Sequence, residues 1–131
     1  LQGPMMNGLD TNVLIRYLVA DDEAQAAKAK RYIESGPSYI NCIVLSKIVW
    51  VLESAYGYEK AAVVTVLEQL LSTHEVEVED ADVALAALHD YRRSTAGFTD
   101  CLIGHRNAAH GCNETGSFDK RAKNVAGFKM L

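Results

Sequence analysis

The sequence predicts an α/β domain with a mainly parallel sheet. Three observations carry that expectation. Short apolar runs of strand length alternate with longer runs of helical period, and the joins are marked by glycine, proline or acidic residues. Such alternation places helices over both faces of the sheet.

Met6 to Leu9 leads into Asp10, and a helical pattern starts at once through Val13, Leu14, Ile15 and Leu18, with Thr11 and Asn12 as N-cap candidates. Asp21-Asp22-Glu23 opens a second helix, where acids favour the positive end of the dipole, and Lys28, Lys30 and Arg31 lie towards its end. Gly36-Pro37 breaks the pattern. Ser38 to Ile43 reads as a strand, and Val44 to Tyr56 as a helix apolar on nearly every side, hence mostly buried. After the Gly57-Tyr58 turn, Glu59 to Leu71 is helical and His74 to Val78 a strand. Asp80 to Tyr91 forms the next amphipathic helix, followed by a basic, small-residue loop, Arg92 to Gly97. Phe98 to Ala109 is a helix with Asp100 in its first turn. Cys112 to Phe118 is a strand ending at Asp119, Lys120 to Val125 a short helix, and Phe128 to Leu131 an edge strand.

At 131 residues the chain is expected to be one domain, able to bury a core without staples. Leu1-Gln2-Gly3-Pro4 reads as the remnant of a cut expression tag, leaving residues 5–131 as the domain. No signal peptide is visible, and the longest nearly uncharged run, Tyr39 to Leu52, contains Lys47, so no membrane span is expected. Cys42, Cys101 and Cys112 make neither an even set nor a CxxC pair, which points to free thiols in a reducing cytoplasm. The four histidines show no ligand pattern. A net charge of -4 gives no general attraction for nucleic acid, although basic residues can still rim an acidic pocket.

Asp10, Asp100 and Asp119 fall at equivalent places, each next to a strand end or a helix start, and an open α/β sheet carries its sites at the carboxyl ends of its strands. Clustered carboxylates repel unless a cation or protons offset them, and hard oxygen ligands suit magnesium or manganese. Taken singly, each Asp is equally explained as a cap or a surface residue. An aspartyl-phosphate phosphatase would want an acid two residues after Asp10, where Asn12 stands. A receiver domain would want an acidic pair before its phosphate acceptor and a late lysine after a strand.

Four segments in order resemble the motifs of PIN-domain proteins, most nearly the VapC-type toxins of bacterial toxin–antitoxin pairs. They are Leu9-Asp10-Thr11-Asn12-Val13-Leu14-Ile15, Val49-Trp50-Val51-Leu52, Phe98-Thr99-Asp100-Cys101-Leu102-Ile103 and Ser117-Phe118-Asp119-Lys120-Arg121. The resemblance implies a three-layer α/β/α fold and a Mg2+- or Mn2+-dependent endoribonuclease toxin. It also implies an RNA substrate, a homodimer and a VapB-like antitoxin. Asp10 and Asp100 match the metal ligands, Asp119 the late acidic position that completes the catalytic set, and Asn12 the residue that braces Asp10.

One position departs from the pattern. The helix before Val49-Trp50-Val51-Leu52 usually opens with a glutamate, and here Lys47 stands in that place. Glu53 is over one and a half turns away and cannot replace it. Either the Lys47 stem lies on apolar neighbours with its ammonium in water, or the ammonium points into the acidic pocket, pairs with Asp10 or Asp100 and weakens metal binding. The second reading makes the chain a weakened or inactive nuclease. It leaves room for the alternative of a non-catalytic dimer that binds antitoxin or RNA. Arg92, Arg93, Lys120, Arg121 and Lys123 either flank the pocket mouth as phosphate contacts or are solvated helix ends.

Overall fold

Residues 5–131 are described by a computed structural model; the expected tag remnant, residues 1–4, lies outside the described residues. The chain divides into two compact units, one ending at Glu79 and one running from Asp80 to Leu131.

The first unit is built on three short parallel strands: β1 (Asn7–Gly8), β2 (Ser38–Ile40) and β3 (Val76–Val78), in the order β1-β2-β3. Asn7 pairs with Ser38, and Ser38 in turn with Val76, so β2 is central. Its side chains accordingly have almost no exposure at Ser38 and Ile40. Four helices complete the unit: α1 (Thr11–Val19), α2 (Glu23–Glu34), α3 (Cys42–Ser54) and α4 (Lys60–Ser72). Leu14, Ile40, Leu45, Ile48, Leu52, Val63 and Leu67 are fully buried and form its core. Burying a side chain of this size contributes about 1.5–3 kcal/mol of transfer free energy.

Capping decides where the helices begin, and it corrects the expected boundaries. The N-cap of α1 is Asp10, ahead of Thr11 and Asn12. Asp22 caps α2 through the Gln25 amide. Asn41 caps α3, its side-chain oxygen accepting from Val44 N at 2.9 Å. That cap ends β2 at Ile40, three residues before the expected end at Ile43. The α3 helix is also less buried than expected: Ile43 is 72% and Trp50 66% exposed.

The second unit contains α5 (Ala81–Arg93), α6 (Phe98–Ala109), and the parallel pair β4 (Thr115–Ser117) and β5 (Phe128–Met130). A single 3-10 turn, Lys120–Ala122, follows β4 in place of the expected helix to Val125. Tyr91 and Phe98 are buried and meet edge to face, with centroids 5.9 Å apart. Gly104 sits in mid-helix because the Phe128 ring lies against it; a Cβ there would come within 2.6 Å of the ring. All strand pairs in both units are parallel, as expected.

Candidate active site

Each strand of the first sheet delivers a polar residue at its carboxyl end. Asp10 follows β1 and Leu9, Asn41 follows β2, and Glu79 follows β3. Asn41 and Glu79 are both occupied with α3: Glu79 Oε1 accepts from Cys42 N at 2.8 Å, next to the Asn41 cap. Asp10 is committed only in part. One oxygen accepts from Thr11 N at 2.6 Å, which fixes the carboxylate at the start of α1. The other oxygen has no hydrogen-bond partner among the described residues.

Asp10, Asn12, Arg16, Lys47 and Tyr56 line one open cleft of about 360 Å3. Helix α1 and its cap supply the first three and α3 supplies Lys47, four residues along from Ile43 on the exposed side. Lys47 therefore reaches the Asp10 cleft, but the expected ion pair with Asp10 is not formed among the described residues. Nor does the Asn12 side chain bond Asp10; the Thr11 backbone supplies the brace assigned to Asn12. The cleft wall is held by a network with no signature in the sequence. Arg16 Nη1 donates to Asp21 Oδ1 and to Tyr56 Oη, each at 3.3 Å, and Tyr56 Oη donates to Asp21 Oδ2 at 3.1 Å. Arg16 Nε also bonds Gln25.

The second unit brings Asp100 and Asp119 together. Asp100 lies in the first turn of α6 and Asp119 caps the 3-10 turn after β4. Arg121 joins them. Its Nη2 lies 2.8 Å from Asp119 Oδ2 and 3.7 Å from Asp100 Oδ2, while its Nε is 3.2 Å from both Asp119 oxygens. The Arg121 backbone amide also donates to Asp119 Oδ1, at 2.9 Å. Gly97, the N-cap of α6, leaves this corner open: a Cβ there would lie 3.4 Å from Asp100 Oδ2.

The two carboxyls are pushed apart in acidity. Burial, and then the negative charge of Asp119, raise Asp100 above the usual carboxylate value, with Arg121 partly offsetting them. The side-chain and backbone bonds from Arg121 hold Asp119 down at about 2. Crowded oxygens of this kind, with a deficit of positive charge at Asp100, fit a hard divalent cation such as magnesium or manganese. Asp10, with one oxygen uncommitted, has the same donor chemistry.

Of the expected flanking cations, Arg121 turns inward to Asp119, and Arg93 Nη1 lies 3.4 Å from His89 Nε2. His105, which shows no pattern in sequence, pairs with Asp90 at 2.6 Å between α6 and α5. Cys42 and Cys101 are buried thiols outside any disulfide, and Cys112 is an exposed one. Among the described residues no helix is long and apolar enough to cross a membrane.

An α/β chain with acids at strand ends and helix starts is the general class this geometry defines. The PIN domain family model matches residues 9–128, and the chain belongs to that family and its α/β/α fold class. It is 27% identical over 130 residues to a VapC ribonuclease of Aquifex aeolicus (strain VF5), with 96% of both chains covered. A solved toxin–antitoxin complex from Klebsiella pneumoniae is similar at 17% identity and a TM-score of 0.36, covering 94% of this chain and 95% of that chain.

Proposed function

We propose that this chain is a VapC-like toxin: a Mg2+- or Mn2+-dependent endoribonuclease whose activity is lowered by Lys47. Full-length similarity to a VapC ribonuclease supports the class. The single observation that supports the chemistry is the Asp100–Asp119 pair, two carboxylates met by one Arg121 nitrogen at 3.7 Å and 2.8 Å respectively. Asp10, Asp100 and Asp119 supply the oxygen ligands in this reading, with Asp10 and Asp100 as the principal ones.

When bound, the cation supplies Lewis acidity at a phosphoryl oxygen and activates water. The protein's own residues do the rest. The Thr11 amide fixes one Asp10 oxygen and leaves the other without a partner among the described residues. The bonds from Arg121 fix the Asp119 carboxylate and lower its pKa to about 2. Lys47 brings a positive charge into the Asp10 cleft, which disfavours a second cation there. Arg16, bonded to Asp21 and Tyr56, lines the same cleft, and in this reading it meets an RNA phosphate.

A VapB-like antitoxin, a homodimer and a cytoplasmic site of action belong to the same proposal. Exposed Ile43 and Trp50, seven residues apart on α3, support the dimer, because a second copy would cover them. The alternative, a non-catalytic dimer that binds antitoxin or RNA, is favoured by the Lys47 charge beside Asp10. Incubating total RNA with the purified protein in manganese, magnesium or chelator separates the two. Slow cleavage that chelator stops is the expected result. No cleavage by this chain or by its Lys47→Glu variant supports the binding module.

A further inference from the structure

The Arg121 guanidinium does more than end a helix turn, and the role assigned to it rests on the proposed metal site. One nitrogen, Nη2, serves two carboxylates, at 2.8 Å from Asp119 and 3.7 Å from Asp100. The hold on Asp119 is strong, with two side-chain nitrogens and the Arg121 backbone amide all donating to it. The hold on Asp100 is a single longer contact. The Arg121 side chain is 62% exposed. Its main chain is anchored separately, since Thr95 Oγ1 donates to the Arg121 carbonyl at 3.0 Å.

We propose that Arg121 is the resident counter-ion of the Asp100–Asp119 pair and the positioning residue for Asp119. A divalent cation displaces it from Asp100 while it keeps its grip on Asp119. Metal affinity is then set by competition within the chain: the guanidinium keeps the empty pair from repelling and lowers the affinity for the ion that replaces it. A purely structural role for Arg121 predicts the opposite sign, because losing it would loosen Asp119 and weaken binding.

Calorimetric titration of Mn2+ into the wild-type chain, Arg121→Gln and Arg121→Lys tests this, with thermal melts recorded in parallel. Gln is expected to bind Mn2+ about tenfold more tightly, from the removal of one positive charge beside a dication. It should melt lower without metal and gain more from saturating Mn2+. Lys keeps the charge but loses the fork, so its affinity should fall between the other two. Equal or weaker binding by a folded Arg121→Gln overturns the assignment and leaves the metal site standing. Absence of Mn2+ binding in every form, Lys47→Glu included, overturns the metal site and the assignment with it.

Discussion

Replacing Asp100 by Asn is expected to stabilise the protein while removing the proposed ribonuclease activity. Burial and the nearby Asp119 raise the Asp100 carboxyl by more than Arg121 lowers it. The native state therefore binds this proton more tightly than the unfolded chain does. Its contribution to stability is fully present below the usual value of 3.8 and is lost as pH rises through the raised native value. At neutral pH the ionised group is a liability, and the neutral amide removes it. We expect a melting temperature about 2 °C higher at pH 7 and metal-dependent RNA cleavage reduced at least about 100-fold. Asp119→Asn should behave oppositely in stability. With its native carboxyl at about 2, Asp119 stabilises above the usual 3.8 and loses that contribution as pH falls towards 2. Its variant should melt lower at pH 7, and the difference should close in acid. Melts of the three proteins from pH 2 to pH 7 check both signs; a lower melting temperature for Asp100→Asn at pH 7 contradicts this account of the pair.

Lys47→Glu is expected to give the largest gain. Lys47 lines the Asp10 cleft without an ion pair to hold it there among the described residues. Its charge is therefore available to repel an incoming cation and to attract the substrate's phosphates. Two unit charges about 4 Å apart interact by about 1 kcal/mol in water, and a dication meeting a reversed charge multiplies that. After allowance for screening and a longer distance, Mn2+ affinity should rise at least about tenfold. Cleavage of total RNA should increase with it, and chelator should abolish the increase. Lys47→Gln should give an intermediate effect. Equal cleavage by all three forms places Lys47 outside the working pocket.

The order of strands and helices is legible in the sequence because strand and helix periods differ and Gly36-Pro37, Gly57 and Gly111 mark breaks. The ends are less legible, since one polar residue can serve several roles. Asn41 stands inside an apolar run that reads as strand, yet its side chain caps α3 and ends β2. Thr11 and Asn12 read as the cap of α1 and Asp10 as a site residue, whereas Asp10 does the capping itself. Side-chain direction is the harder limit. Lys47 lines a cleft with Asp10, but the expected pairing between them does not form. Arg121 reads as a rim cation, because an Asp-x-Arg spacing does not reveal that a 3-10 turn folds the guanidinium back onto Asp119. The His105–Asp90 pair joins neighbouring helices across fifteen residues, a separation with no signature in periodicity.

Asp10 and Asp100 are each proposed as ligands of a divalent cation. Calorimetric titration of Mn2+ into the wild-type chain, Asp10→Asn and Asp100→Asn tests this directly, with circular dichroism confirming that each is folded. Saturable binding by the wild-type chain and a severe loss of affinity in each single variant are expected. Binding that survives unchanged in either folded variant would contradict this assignment.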